Sequence, residues 1–358
     1  MKVKNIIKFF RKLIEAQLKL IFYFIFLFPA FSFSQSDTVF YTVFFYNVEN
    51  LFYPEKDSLK NDGAFTPEGS HRWTYKRYYK KVNQIAKTFL AVNQGDPPEI
   101  IGLAEIENEK ALRQLCFYSP LKSFNYGYVH YKSPDSRGID VALLYRKDRV
   151  TIVHQEAIGI TFPFEPSSKN RDILYVSFHF PEKDTIHLFV NHWTSRFGGY
   201  AATIPKRNYY AQCLKNKTDS LKQHFLNPYI VIVGDFNDYP YNESLSKILQ
   251  AKSISEKKEA SLVNLMIEYG NTGNVGTHKY EDFWGCLDQI IVSANLLTEQ
   301  ELSVYENKAH IMAAPFLLEE DSKYGGYRPF RTYIGFKYLG GFSDHLPVFV
   351  RLVKIIEE

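Results

Sequence analysis

Short apolar runs, most of them bounded by a carboxylate, an amide or an imidazole, recur along this chain, and no other feature restricts its fold as much. Residues 39–47, 100–105, 139–145, 173–180, 186–192, 229–234, 287–292 and 346–352 have the length and the Val, Ile, Phe and Leu content of strands. Several are almost continuously apolar, the pattern of strands covered on both faces. Between them, Tyr78, Val82, Ile85, Ala86 and Phe89 recur at helical spacing, which predicts an amphipathic helix over 71–94 that stops near Gly95 and Pro97-Pro98. A second helix is predicted over 206–225. Strands alternating with a few helices imply α/β layering and exclude a bundle or a repeat array. No low-complexity linker divides the 358 residues, so 35–358 reads as one domain.

The first 34 residues stand apart. A basic stretch precedes the apolar run 20–33, which leads into Ser32-Phe33-Ser34 and then Gln35. Small residues at −3 and −1 after a short apolar core predict a signal peptide, 1–34, cleaved after Ser34. The run falls short of the ~20 residues of a spanning helix and contains Pro29. An exported destination is expected: periplasm, outer surface or medium. The chain has 43 Lys and Arg against 39 Asp and Glu, but the leader holds six basic residues and one acid, leaving 37 against 38 in the remainder. That balance provides no whole-protein field for a polyanion, so any anion site must be local. The three cysteines, Cys116, Cys213 and Cys286, are scattered without metal-type spacing and read as small buried apolar residues.

The polar residues that bound the strands are the candidate functional set. Asn47, Val48, Glu49 and Asn50 close the first, Glu105 to Asn108 the second, and Asn191-His192 the fifth. Asp235, Asn237 and Asp238 follow the sixth, Arg137 and Asp140 open the third, Asp288 begins the seventh, and Ser343-Asp344-His345 leads into the last. Mixed sheets expose ligand sites at one edge, so residues scattered in sequence can converge there. Oxygen donors with a minority of imidazoles suit magnesium, manganese or calcium better than zinc. Each element has a plainer reading too: an Asx turn at Asp235, solvated glutamates at 105 and 107, a core histidine at 192, a structural Asp140. Seven such accidents in one chain are hard to sustain.

The ordered set NVEN at Asn47, strand-borne Glu105, RGIDVALLYR at Arg137, NHW at His192, GDFND at Asp235, LDQIIVS at Asp288 and SDHLPV at Asp344 resembles the endonuclease/exonuclease/phosphatase superfamily over roughly 40–352. GDFN followed by D-x-I and a C-terminal SDHxPV is the specific part. The resemblance implies a four-layer αββα sandwich, two packed mixed β-sheets flanked by helices, and Mg²⁺- or Mn²⁺-dependent (or Ca²⁺-dependent) hydrolysis of phosphate esters. It implies Glu105, Asn47 and Asp344 at the metal, Asp235 orienting or deprotonating water, and Asn237 holding the phosphate. His345 would contact the scissile phosphoryl oxygen or supply the proton, Asp288 would orient that imidazole, and His192 would stabilise the phosphorane or protonate the leaving oxygen. Arg196, in the NHWxSRxGG stretch, and Arg137 are the phosphate-binding candidates. The chemistry asks for the same inventory: a phosphodiester needs its non-bridging oxygens neutralised, a water activated and an alkoxide protonated.

Substrate is the weaker reading. The segment 316–341 mixes Lys323, Arg328, Arg331 and Lys337 with Tyr324, Tyr327, Tyr333 and Tyr338 just before Asp344, as a clamp on single-stranded nucleic acid would. An exported nuclease acting on DNA or RNA is the leading expectation. A sugar-phosphate phosphatase or a phospholipid phosphodiesterase of the same fold, and a catalytically silent surface binding module, are the alternatives.

Overall fold

A computed structural model describes residues 37–356 apart from 59, 271–274 and 299–301, together with positions 4, 8, 11, 12, 14 and 17. The expected signal peptide therefore lies almost wholly outside the described residues. The chain divides into a unit of Val39–Lys354 and a unit of Met1–Thr38 with Ile355–Glu358. In the second, Lys4, Lys8, Arg11, Lys12, Ile14 and Gln17 are helical. Among the described residues no helix is long and apolar enough to cross a bilayer.

The larger unit is built on strands β1 (Asp37–Leu51), β2 (Ile100–Ile106), β3 (Tyr126–His130), β4 (Asp140–Arg146), β5 (Thr151–Ile158), β6 (Ile173–His179), β7 (Thr185–His192), β8 (Tyr229–Asp235), β9 (Ala251–Lys252) and β10 (Leu262–Asn264). A hairpin, β11 (His278–Tyr280) and β12 (Phe283–Gly285), precedes β13 (Asp288–Ser293) and β14 (Leu302–Ile311). Two more hairpins, β15 (Leu318–Glu320) with β16 (Tyr327–Pro329) and β17 (Tyr333–Ile334) with β18 (Lys337–Tyr338), lead to β19 (Val348–Ile356). The main helices are α1 (Tyr75–Ala91), α2 (Glu109–Tyr118) and α3 (Tyr200–His224).

One sheet runs β14-β19-β1-β2-β4-β3, the other β5-β6-β7-β8-β13-β10-β9. Both are mixed: β1 and β2 are parallel, as are β7 and β8, while β4 and β13 run against their neighbours. The alternation of side chains along each strand sorts the core into three layers. Tyr41, Val43 and Phe45 of β1 meet Val176, Val190, Val231 and Val233 between the sheets. Phe44, Tyr46 and Val48 face the other way, onto Tyr78, Val82, Ile85 and Phe89 of α1 and Leu112 and Leu115 of α2. Ile230 and Ile232 of β8 pack on Tyr210, Ala211 and Leu214 of α3. Helix, sheet, sheet, helix is the αββα order, and it explains why the central strands are apolar on both faces.

All eight expected strands form. The helix expected over 71–94 is α1, capped by the Thr74 hydroxyl on the Arg77 amide. The second begins at Tyr200, six residues before its expected start, and accommodates Pro205 inside its second turn at the loss of one backbone bond. Cys116 and Cys286 are buried thiols and Cys213 is half-buried, none of them bridged.

Candidate active site

The strand register assembles the site. Asp235 at the end of β8 pairs with His192 at the end of parallel β7 on one side and with Asp288 at the start of antiparallel β13 on the other. Three chemically active side chains thus stand abreast on one sheet. From the other sheet, Asn47 of β1 pairs with Ala104 of β2, and Glu105 follows at a break in the β2–β4 register with φ +67°. The two edges meet where Asn47 Nδ2 donates to Asp235 Oδ2 at 3.1 Å. The backbone is left-handed at Glu49, Asn50, Glu105 and Asn237, all in or just past the ends of the strands that bound this cleft.

His345 Nδ1 donates to Asp288 Oδ2 at 2.7 Å, which leaves Nε2 directed toward Asp235, 3.8 Å from its Oδ2. Its segment is fastened to β1 through Ser343, whose hydroxyl donates to Asn47 O at 2.7 Å and accepts the His345 amide at 3.1 Å. His192 Nε2 lies 3.6 Å from Asp235 Oδ2 and 3.9 Å from Glu105 Oε1. Asn237 caps Asp235 Oδ1 with its own amide at 3.0 Å and donates its side chain to Trp193 O at 3.2 Å. Asp344 accepts from Arg331 Nη2 at 2.8 Å.

Burial and charge set the protonation states. Burial pushes the Asp235 carboxyl up to about 6, with His345 opposing the shift. Burial also disfavours a charged His345, but the carboxylates of Asp288 and Asp235 outweigh it and hold this imidazole well above its ordinary value. His192 goes the opposite way, well below, through burial and then the nearby guanidiniums of Arg171 and Arg137. Glu105 is raised by burial, with Arg137 the leading opposing charge. Burial pushes Asp344 up, yet the charges of His345 and Arg331 bring it below the usual carboxylate range.

Nine of the ten expected site residues converge on this cleft or its rim; the tenth, Arg196, serves its frame. Arg196 donates through Nε to Asn237 O at 2.7 Å and through Nη2 to Asn242 Oδ1 at 3.2 Å, and it lies on the Tyr239 ring at 4.0 Å. Those bonds hold the loop that carries Asn237, so two of its nitrogens are taken up by protein acceptors. Arg137 is exposed beside Asp135 and projects its charge onto Glu105 and His192. Asp140 is structural: it is buried, accepting from the Ser133 amide and hydroxyl and from His130 at 3.0 Å.

Other contributors were not anticipated. Arg171 donates to His192 O at 2.9 Å, Trp193 O at 2.7 Å and Asp135 Oδ2 at 2.9 Å, fixing the backbone that carries His192. Lys81, an apparently solvent-type residue of α1, is fully buried and donates to Thr332 Oγ1 and Phe342 O, with Glu49 at 3.9 Å. His278 sits beside His345 in the middle of THKY, a stretch whose nearness to Asp288 was its only signal.

The donor set fits a divalent cation. Glu105, Asp235, Asp288 and Asp344 crowd one cleft, and Asp235, Asp288 and His345 offer ligand atoms within 4.8 Å of one another. Asp288 Oδ1 is buried without a hydrogen-bond partner among the described residues, and burial raises Glu105 in spite of the opposing charge of Arg137. Oxygen-rich donors of this kind hold hard cations.

Two mixed sheets back to back, with carboxylates, amides and an Asp-held imidazole at their shared edge, define the class of phosphoric ester hydrolase scaffolds. The sequence matches the model of the Endonuclease/Exonuclease/phosphatase family over residues 42–354, and the chain belongs to that family. Members of this superfamily are hydrolases of phosphoric esters. No curated protein matches the sequence significantly. The fold is similar to the human nocturnin catalytic domain with bound sulfate, at 17% identity, 89% of this chain, 97% of that chain and a TM-score of 0.51. It is also similar to D. rerio TDP2 complexed with a single-strand DNA product, at 13% identity, 87% and 98% coverage and 0.52. A mannosyl-6-phosphatase of Bacteroides thetaiotaomicron aligns at 16% identity, 87% and 99% coverage and 0.52.

Proposed function

We propose that this chain is an exported, divalent-cation-dependent phosphodiester hydrolase that cleaves DNA or RNA. The observation that carries the reading is the Asp288–His345–Asp235 arrangement, an imidazole held by one carboxylate with its free nitrogen toward a second. Asp235, pushed up to about 6, suits a base that takes a proton from the attacking water near neutral pH. Asn47 and the Asn237 amide fix its two oxygens, so the base is oriented before substrate arrives. His345, protonated over the working range, donates to a non-bridging oxygen or to the departing alkoxide. His192, kept neutral by burial, orients oxygen by hydrogen bonding and is a poor source of a proton. Mg²⁺ or Mn²⁺, when bound by Glu105, Asn47 and Asp344, supplies charge neutralisation at the phosphoryl oxygens.

The nucleic-acid substrate is supported by the neighbour solved with a single-strand DNA product and by the exposed Tyr324, Tyr327 and Phe336 on the 316–341 segment. A second reading, a small phosphomonoester of a sugar, is favoured by the internal pairing of that segment's arginines. Arg328 binds Glu319 at 2.9 Å and Arg331 binds Asp344, while Tyr333 and Tyr338 pack toward Arg77. Incubating residues 35–358 with single-stranded and duplex DNA, RNA, bis-p-nitrophenyl phosphate and mannose 6-phosphate, each with Mg²⁺, Mn²⁺, Ca²⁺ or EDTA, separates the two. Metal-dependent polymer cleavage is expected; hydrolysis of the monoester alone transfers the assignment to a phosphatase, and no hydrolysis at all leaves a binding module. Export rests on the leader, and the exported chain is expected to begin at Gln35 on N-terminal sequencing; a retained leader rejects it.

A further inference from the structure

The hairpin β11–β12 brings a third histidine to the cleft. Leu346 N donates to Thr277 O at 2.7 Å and His278 bridges to His345, so the hairpin backbone is bonded onto the segment that carries Asp344 and His345. The Thr277 hydroxyl accepts the amides of Leu287 at 3.1 Å and Asp288 at 3.0 Å, tying the same hairpin to the carboxylate that holds His345. Gly276 lets the base of the hairpin close, because a Cβ there would come within 2.5 Å of Gly285 O. The imidazoles of His278 and His345 lie 4.9 Å apart, and ligand atoms of His278, Asp344 and His345 are all within 4.8 Å of one another. Each keeps one atom for a cation: His345 Nδ1 is occupied by Asp288, leaving Nε2, whose proton a bound cation displaces to solvent; Arg331 occupies Asp344 Oδ2, leaving Oδ1; and the His278 ring has no hydrogen-bond partner among the described residues.

We propose that His278, Asp344 and His345 form a second cation site, selective for zinc-class ions, whose occupation blocks hydrolysis. Two imidazoles and one carboxylate are the donors zinc and cobalt prefer, whereas on the Glu105–Asn47 side of the cleft oxygen donors predominate and His192 is the one imidazole nearby. Three protein ligands leave a fourth position for water or a phosphoryl oxygen. Zinc held there takes the Nε2 of His345 and draws Asp344 from the hard cation, removing two groups at once.

The binding arm of this inference stands independently of the proposed reaction, and the inhibition arm rests on it. The full chain, dialysed against micromolar Zn²⁺ in millimolar Mg²⁺, is expected to retain one zinc per chain by elemental analysis, and His278→Ala to retain it at least tenfold more weakly. Retention by His278→Ala within twofold of the parent overturns the site. His278→Gln repeats the comparison if the alanine variant melts early. X-ray absorption of the zinc-loaded parent reads the ligands without any variant: two imidazoles are expected, and one or none refutes the assignment. With bis-p-nitrophenyl phosphate and Mg²⁺, Zn²⁺ is expected to inhibit the parent at least tenfold more strongly than His278→Ala. Zinc retained through His278 without any diester hydrolysis would fault the proposed reaction and leave the site standing.

Discussion

His345 and His192 flank the same carboxylate and reach opposite protonation states, because one has a dedicated anionic partner and the other has buried surroundings and guanidiniums. His345→Ala is expected to lower kcat by ~10²–10⁴-fold, the range of a lost acid–base group, with the circular dichroism spectrum unchanged. Asp288→Asn keeps the shape but removes the charge that holds the imidazole protonated, and a loss of at least ~10²-fold is expected. An unchanged rate in either variant would remove the role assigned to this pair. A remote residue sets a pH response of stability. His187, bonded to the Tyr175 hydroxyl at 2.7 Å, is lowered by burial to about 4, against ~6.5 for an unfolded chain. Between those values the unfolded chain binds more protons, so the contribution is whole above pH ~6.5 and shrinks as pH falls toward 4. His187→Gln keeps a polar partner for Tyr175 without the titration, and its urea midpoint is expected to fall less between pH 7 and pH 5 than that of the parent.

At the scale of elements, α1 is joined to β1 by a buried ion pair and to the catalytic segment by hydrogen bonds from the same lysine. Lys81, lowered to about 8 by burial, lies against Glu49, and Glu49 accepts the amides of Thr332 at 2.6 Å and Tyr333 at 3.3 Å. Lys81→Met leaves the buried Glu49 with Arg331 alone at 3.8 Å and is expected to cost about 3–5 kcal/mol in denaturant unfolding. Lys81→Met with Glu49→Gln should recover part of that loss, and a double variant no better than the single one would show that the pair is not the source. The sequence revealed the strands whose both faces are covered, because continuous apolar runs are unambiguous. It concealed the edge strands β5 and β14, whose many exposed or half-buried positions interleave polar and apolar residues without a clean period. It also concealed α2: Asn108, read as the polar end of β2, is the cap that starts this helix by accepting the Ala111 amide at 3.0 Å. Among site residues, those at strand ends were legible because a polar group after an apolar run is conspicuous. Lys81 and Arg171 were not, since a cation within a helix pattern or at a strand entrance looks solvated until the packing is known.

Over the whole molecule, the two sheets are held at the distance that Gly102 permits. A Cβ at this position would stand 3.0 Å from Val233, 3.2 Å from Phe45 and 3.3 Å from Val190. Gly102→Val is expected to cost about 1–3 kcal/mol through overpacking, measurable as a lower thermal midpoint. Glu105 lies three residues along the same strand, while Asp235 and His192 belong to the opposite sheet, so the variant should also lower kcat below the melting range. The 3.1 Å bond from Asn47 to Asp235 is thus a calliper across the sandwich. Catalysis in such an architecture reads out core volume: warming that swells the interior would silence the enzyme before either sheet unravels, and inactivation should run ahead of the loss of secondary structure.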